Sequence, residues 1–334
     1  MRIIYKKDIS EEEQQATDVR YISYDVINEN FGRIGSFEYM GEIIMPETKN
    51  RIAQVCFSRP YKQDFKNIRW NFGNQFEMTL AISALSLALL KEMGQEVVLY
   101  TDTDGAELLK DLGYDRVYNV FDPIAVKNDF WACGKILALD NEPLDSILID
   151  NDIFLYDGKL LDKASAIPIC GSHHENTVMY KHMLEFGQRY LPFLSGDVDT
   201  STNTGFMKID NIMIKKQFIA AYWQGVSTFY SDELLQTFKT QGHGVYNIDL
   251  LIEQFSFHKI AQPETLIELP EQQKDARGFV HLISFEKYCK LPVILYILMK
   301  RFPESYRKVI KKWSEMDFSV WIADEDGRPE RCYE

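Results

Sequence analysis

The sequence has 334 residues, with 37 Lys and Arg against 50 Asp and Glu, which gives a net charge of −13. Such an excess of negative charge repels phosphate backbones, so nucleic acid is excluded as the main partner. Hydrophobic residues make up 46% and charged residues 26% of the chain. These fractions are typical of globular proteins and exclude the disordered and fibrous classes.

The five cysteines are spread along the chain without a Cys-x-x-Cys pair. This spacing predicts reduced thiols and gives no indication of a zinc or redox site. No window of about 18 apolar residues is present, and the first residues lack the apolar stretch of a signal peptide. We therefore expect a cytoplasmic protein.

The first fifty residues contain short alternating runs, at 20–26 and 35–45, that predict a small hairpin-like β appendage. From Arg51 onward, apolar runs alternate with amphipathic stretches, which predicts an α/β fold with helices on both faces of a sheet. No Pro/Gly-rich linker divides this region. We expect an appendage at 1–50, one main domain at 51–290, and a C-terminal helix and tail at 291–334.

Apolar runs predict the strands in chain order at 52–57, 96–102, 116–120, 147–149, 153–155, 166–172 and 206–209. Helical spacing predicts the helices at 76–94, 128–141, 175–189, 212–225, 231–241 and 248–261.

An Asp-x-Asp pattern occurs four times, so context must decide which pair is functional. Asp150 and Asp152 follow the apolar strand 146–149, which places two carboxylates at the carboxyl end of a buried strand, where open α/β sheets bind ligands. Two carboxylates this close favour a hard divalent cation between them. The alternative is an ordinary turn that uses Asp and Asn for local backbone bonds.

Four further motifs accompany this pair in a fixed order. They are Phe130-Trp131-Ala132-Cys133-Gly134-Lys135 before it, and Asn203-Thr204-Gly205, Glu253-Gln254 and His281 with Lys287 after it. In this order the chain from about Arg51 to Lys290 resembles the glycosyltransferases of the GT-A fold, and among them the family 8 nucleotide-sugar transferases. The resemblance implies a mixed, mostly parallel sheet and transfer of a sugar from a nucleoside diphosphate donor, most often UDP-linked, to a glycan or lipid-linked acceptor.

The resemblance also assigns roles to these residues. Asp152 would ligate Mn²⁺ or Mg²⁺, Asp150 would ligate the metal or hold the donor's ribose, and His281 would be a third ligand. Lys135 and Lys287 would pair with phosphate or sugar oxygens. Each of the two lysines, taken alone, is equally well explained as a solvated surface residue.

The other implied contacts surround the donor. Asn203 and Gly205 would face the donor or the acceptor, and Glu253 and Gln254 would lie beside the anomeric carbon. Retention follows if the pair stabilises or attacks an oxocarbenium-like species, and inversion follows if Glu253 deprotonates the acceptor; we favour retention. The end of the first strand, Ser58-Arg59, and Asp102 are candidates for nucleotide contact.

The sequence departs from the family pattern at three points: Glu253 replaces an Asp, Ser284 stands where Gly is frequent, and no Pro-Trp follows Lys287.

Two alternatives to a glycosyltransferase stay open. One is a phosphatase of the haloacid dehalogenase class, and the other is a non-catalytic domain that binds a nucleotide sugar or glycan. The pair His173-His174 is set aside as a metal site, because adjacent residues of a strand point to opposite faces.

The C-terminal segment 291–313 places six basic residues among aliphatic and aromatic ones. A basic amphipathic helix of this kind can lie on an anionic membrane surface, so the sequence indicates a peripheral contact with the inner face of the membrane. The alternative is a helix that packs on the domain and exposes a charged face.

Overall fold

The computed structural model describes residues 4–6, 21–23, 43–59, 75–176, 181–196, 200–241, 248–267, 275–276, 278–282 and 286–315. The strands are β1 (Ile4–Lys6), β2 (Tyr21–Ser23), β3 (Arg51–Cys56), β4 (Glu96–Thr101), β5 (Arg116–Asn119), β6 (Ile147–Ile149), β7 (Ile153–Leu155), β8 (Ile169–Gly171), β9 (His174–Asn176), β10 (Thr200–Thr202), β11 (Phe206–Ile209), β12 (Glu264–Thr265), β13 (Asp275–Ala276) and β14 (Phe279–His281). The helices are α1 (Gln75–Glu92), α2 (Thr103–Leu109), α3 (Cys133–Asn141), α4 (Lys159–Ala166), α5 (Lys181–Gln188), α6 (Ile212–Thr228), α7 (Asp232–Gln241), α8 (Ile248–Leu250), α9 (Ser256–Ala261), α10 (Glu286–Arg301) and α11 (Pro303–Glu315), with a π-helical turn at Leu251–Phe255.

The central sheet has the strand order β12-β8-β11-β6-β3-β4-β5. Strands β6, β3, β4 and β5 run parallel, whereas β11 is antiparallel to both of its neighbours, β6 and β8. The mixed, mostly parallel α/β sheet that the sequence predicts is therefore confirmed. The carboxyl ends of β3, β4 and β6 share one edge of this sheet, which is where the candidate site lies.

Helices cover both faces of the central sheet, as predicted. Successive residues of β3 alternate between the faces, so that Ile52 joins the core that contains α1 and Ala53 joins the core that contains α3. Helices α1, α10 and α11 pack together on one side, and α3, α6 and α9 pack together on the other. Helix α1 is apolar almost all round because it is enclosed by the sheet, α10 and α11.

A second sheet, with the order β13-β14-β7, meets the central sheet at the candidate site. Strand β6 ends in the central sheet at Ile149, and β7 begins in the smaller sheet at Ile153. The segment Asp150-Asn151-Asp152 is therefore the connection between the two sheets. His281 is the last residue of β14 and pairs with Ile153.

One local prediction is wrong. The first residues of the helix predicted at 175–189 are not helical, because His174–Asn176 forms β9 and pairs with β10, and the helix is described as Lys181–Gln188. Strands β1 and β2 pair in parallel. The predicted hairpin-like pairing of the runs 20–26 and 35–45 lies mostly outside the described residues.

The domain division stays a prediction, although α10 crosses its boundary at residue 290. Ile294 and Leu298 of α10 are buried in the same core as α1. In α11, Lys312 binds Glu107 of α2 at 3.0 Å, and Lys308 donates to the Leu112 carbonyl. Within the described ranges, no helix combines the length and the hydrophobicity needed to cross a membrane.

The buried carboxylate of Glu142 stabilises the edge of the sheet that lies opposite the candidate site. Glu142 accepts bonds from Arg51 Nε at 2.7 Å, Tyr100 Oη at 2.7 Å and Ser146 Oγ at 2.7 Å. Burial alone would raise the pKa of Glu142, but the bonds from Arg51, Ser146 and Tyr100 outweigh it and lower the pKa. The network joins β3 and β4 to the connection between α3 and β6. It therefore helps to fix the position of β6 and of Asp150, which directly follows β6.

We expect Glu142→Gln to lower the free energy of unfolding by about 1.5–3 kcal/mol at pH 7, because it removes the charge to which Arg51, Tyr100 and Ser146 donate, although Arg51 keeps its pair with Glu96 at 2.5 Å. Since the folded-state pKa lies below the unfolded one, the charged carboxylate stabilises the fold above the unfolded pKa, and this contribution is lost as the pH falls. Urea unfolding at pH 7 and pH 4 should therefore show a smaller difference between wild type and variant at pH 4. Glu92→Gln, at an exposed carboxylate, is the control; an equal effect of both substitutions would contradict the prediction.

Candidate active site

Three predicted ligands converge at the junction of the two sheets. Asp150, Asp152 and His281 each offer one ligand atom, and these atoms lie within 4.8 Å of one another. Two carboxylates and an imidazole form a ligand set that suits Mn²⁺ or Mg²⁺ together with substrate oxygens. Asp150 and Asp152 lie in the connection between β6 and β7, and His281 ends β14. Backbone bonds fix this arrangement, since Asp150 N donates to Gly205 O at 2.7 Å and Leu282 N donates to Asp152 O at 3.0 Å.

Asp152 has the features of a metal ligand. Its Oδ1 is buried and accepts no hydrogen bond from the residues that the structure describes, and it lies 3.5 Å from His281 Nε2. Its other oxygen pairs with Lys287 Nζ at 2.5 Å. Burial favours the neutral acid, but Lys287 and His281 outweigh it and hold the pKa of Asp152 well below its usual range. The carboxylate is therefore charged and has an oxygen left for a cation.

Lys135 joins the Asp pair to the Glu253-Gln254 motif. Its Nζ lies 2.9 Å from Asp150 Oδ1 and 3.1 Å from Glu253 Oε1, and it donates to the Thr204 carbonyl at 3.3 Å. Burial would lower the pKa of this ammonium, but the charges of Asp150 and Glu253 outweigh it and raise the pKa. Lys135 is therefore a buried cation between two carboxylates, and the interpretation of this residue as a solvated surface lysine is wrong.

Glu253 is fully buried on the π-helical turn between α8 and α9. Such turns are frequent at functional sites because they shift the register of a helix by one residue. Upstream of the turn, Asp249 fixes the helix by accepting from Ala132 N at 2.7 Å and Tyr222 Oη at 2.9 Å. Ala132 directly precedes α3, which carries Lys135, so the same anchor holds both partners of the Lys135–Glu253 pair. Gln254 is also buried.

The loop before β11 borders the His281 ring. Asn203 Oδ1 accepts from Gly205 N at 2.9 Å and from Ser172 Oγ at 2.8 Å. A β-carbon added at Gly205 would lie 2.9 Å from His281 Cε1 and 3.0 Å from Asn203 Oδ1. Glycine is therefore required at this position because the imidazole and the loop approach each other closely.

The predicted nucleotide contacts form their own cluster at the same edge of the sheet. Asp102 Oδ2 accepts from Ser58 N at 2.9 Å and Arg59 N at 3.0 Å, while its Oδ1 accepts from Ser58 Oγ and from Gly105 N at the start of α2. The Arg59 guanidinium stacks on the Phe57 ring at 4.9 Å and donates to the Ile124 carbonyl. In this structure Asp102 orders the loop after β3, and its role as a nucleotide contact stays a prediction.

The sequence missed two residues of this neighbourhood. Asp249 is a buried anchor, and its only sequence signal is an acidic residue inside an apolar helix. The sequence predicts Glu175 in a helix, whereas the residue lies on β9 and accepts from Asn203 Nδ2 at 2.7 Å. The position of Glu175 depends on the pairing of β9 with β10, and no local sequence pattern indicates this pairing.

The fold and the site together define an α/β protein whose central sheet presents an Asp-Asp-His group, close enough to coordinate one metal ion, at its carboxyl edge. The chain belongs to the DUF6734 family, described as a family of unknown function, which it matches over residues 51–312. No curated protein matches the chain.

Solved structures similar to this chain include three glycosyltransferases. They are mouse xyloside xylosyltransferase 1 (12% identity, 63% of this chain and 82% of that one, TM-score 0.30), GlyE of Streptococcus pneumoniae TIGR4 (12%, 82% and 62%, 0.33) and the bifunctional WbbM (10%, 80% and 52%, 0.38). At this level of similarity, the function proposed below rests on the residues of the site itself.

Proposed function

We propose that the protein is a metal-dependent glycosyltransferase that moves a sugar from a nucleoside diphosphate donor, with UDP as the expected nucleotide, to a hydroxyl of a glycan or lipid-linked acceptor. The observation that carries this proposal is the Asp150, Asp152 and His281 group, with the buried Lys135–Glu253 pair beside it. Sugar transfer needs positive charge for the leaving diphosphate and negative charge near the anomeric carbon. The site supplies ligands for the first and a carboxylate for the second.

In the proposed reaction, the bond between the anomeric carbon and the β-phosphate oxygen breaks, and the diphosphate keeps the electron pair. The acceptor oxygen bonds to the anomeric carbon, and its proton passes to an oxygen of the departing diphosphate. A divalent cation held by Asp150, Asp152 and His281 would stabilise the charge that develops on the diphosphate. Lys287, whose ammonium contacts Asp152, would turn to a phosphate oxygen when the donor binds.

Glu253 and Gln254 would act on the sugar side. Glu253 is completely buried and paired with Lys135, which supports a role in stabilising an oxocarbenium-like charge over a role as a base that must meet an acceptor from solvent. We therefore propose retention of configuration, as the sequence favours. Gln254 would offer its amide to the same face of the sugar.

The first experiment measures the thermal stability of the purified chain with UDP, GDP and CDP, each with and without Mn²⁺. We expect one nucleotide to stabilise the protein only when Mn²⁺ is present. Slow hydrolysis of the matching nucleotide sugar, followed by NMR, would then show turnover and give the anomer of the released sugar. Stabilisation without hydrolysis or transfer would favour the non-catalytic binding domain, and no response to any nucleotide would reject the proposal.

The proposal includes a cytoplasmic location, which is supported by the buried free thiols of Cys56, Cys133 and Cys170.

The proposal also includes contact of α11 with an anionic membrane surface. Arg307 and Lys311 of α11 expose 71% and 73% of their side chains. We expect sedimentation with phosphatidylserine vesicles at low salt that is lost in Arg307→Gln/Lys311→Gln. Equal sedimentation of both proteins would contradict this contact.

A further inference from the structure

His173, which directly precedes β9, and Glu175 on β9 lie next to the candidate site, on the side opposite the His174 ring. The His174 ring bonds Thr202 Oγ1 at 3.2 Å and packs edge-on against His258, with the ring centroids 5.3 Å apart. His173 and Glu175, two residues apart, share the other face, where His173 Nε2 lies 3.8 Å from Glu175 Oε1. This second face contacts Asn203 through Glu175.

Asn203 connects this face to the Asp-Asp-His group. Its Nδ2 donates to Glu175 Oε1 at 2.7 Å, and its backbone N donates to His173 O at 2.9 Å. Its Oδ1 in turn accepts from Gly205 N, and Gly205 borders the His281 ring. A molecule bound between His173 and Glu175 would therefore lie close to one bound at His281.

The His173 ring has hydrogen-bonding capacity that the described residues do not use. The residue is 6% exposed, and its Nδ1 is buried without a hydrogen-bond partner in that part of the chain. An unpaired buried polar atom destabilises the fold, and a ligand that forms the missing hydrogen bond removes this cost. Burial, followed by the charges of His281 and His174, lowers the pKa of His173 to about 4. The imidazole is therefore neutral near pH 7 and offers one donor and one acceptor.

We propose that His173 and Glu175 bind the hydroxyl groups of a sugar ring beside the Asp-Asp-His group. A sugar hydroxyl both donates and accepts, which matches a neutral imidazole, and a neighbouring hydroxyl can donate to the carboxylate of Glu175. This inference rests on the proposed function, because it assumes that a sugar reaches this edge of the sheet. The sugar can come from the donor or from the acceptor, since both carry the same hydroxyl chemistry.

The test uses the full chain with His173→Leu and Glu175→Gln, with His174→Leu as the matched control on the opposite face. One arm compares the Kd of UDP with the Kd of UDP-glucose, UDP-galactose, UDP-xylose and UDP-N-acetylglucosamine, with Mn²⁺ present, by calorimetry. The other arm measures binding of the corresponding methyl glycosides by saturation-transfer NMR, with and without UDP and Mn²⁺. Urea unfolding verifies that each variant is folded, and His173→Gln, which keeps polar atoms at this position, is expected to restore binding in part.

We expect His173→Leu and Glu175→Gln to weaken sugar binding by at least about tenfold in one arm, while the Kd of UDP and the behaviour of His174→Leu stay unchanged. A change in the first arm assigns the pair to the donor sugar, and a change in the second assigns it to the acceptor. No change in either arm while UDP binds would overturn the inference and leave the proposed function standing. If the wild type binds no nucleotide, the proposed function fails, and the glycoside arm alone decides: binding that depends on His173 supports the inference, and its absence overturns it.

Discussion

Asp152→Asn is expected to lower the affinity for Mn²⁺ by at least about 100-fold, because loss of an outer-shell partner already costs 10–100-fold and this carboxylate is a direct ligand in the proposed site. With UDP at about 100 times its Kd and the Mn²⁺ site filled, nucleotide binding should add about 2.7 kcal/mol to the stability of the Mn²⁺-loaded wild type. The variant should show almost none of this stabilisation. Calorimetric titration with Mn²⁺ gives the affinity, and thermal unfolding gives the stabilisation.

Asp145→Asn provides the control for this substitution. Asp145 is exposed and lies just before β6, at the edge of the sheet opposite the candidate site. The Asp145→Asn variant should bind Mn²⁺ and UDP as the wild type does. Metal-dependent nucleotide binding that survives in Asp152→Asn would remove this carboxylate from the ligand set.

Lys135→Met is expected to lower the free energy of unfolding by about 3–5 kcal/mol in the absence of metal, because it leaves Asp150 and Glu253 as neighbouring carboxylates without their shared cation. The double variant Lys135→Met/Glu253→Gln should regain at least about half of this loss, since one buried charge is removed as well. Mn²⁺ should also restore stability to the single variant by offsetting the charge of Asp150. Urea unfolding with and without Mn²⁺ measures all three effects.

Lys91→Met is the matched control, because Lys91 pairs with Asp115 at 2.7 Å on the surface. Exposed pairs of this kind contribute about 1 kcal/mol or less. If Lys135→Met costs no more than Lys91→Met, the buried ion pair is not what holds this part of the site together. The double variant Lys135→Met/Glu253→Gln should lose sugar transfer even where its stability recovers.

The sequence predicts the central elements well because their signals are local. The apolar runs of β3, β4 and β6 and the long apolar helix α1 each report burial within a few residues. For the same reason Asp150 and Asp152 could be placed at the carboxyl end of a strand. Strand β9 cannot be predicted in this way, because the local pattern favours a helix and the partner strand β10 follows only after α5.

The contacts within the site depend on distant segments. Lys135 and Glu253 meet because Asp249 anchors the helix of one to the start of the helix of the other. Spacing does not reveal this contact, and only the order of motifs led to both residues. His173 shows a different limit: adjacent histidines do face opposite sides, as expected, but the sequence does not tell which side lies next to His281.

The connection between the two sheets has a mechanical consequence. Asp150 follows a strand of the large sheet, whereas Asp152 precedes one strand of the small sheet and His281 ends another, so an ion bound by all three would cross-link the two sheets next to the turn that connects them. Amide hydrogens of β7 and β14 would then exchange more slowly in the loaded protein, while those of β3 and β4 would change little. Loading the site would stiffen the smaller sheet and leave the larger one as it was.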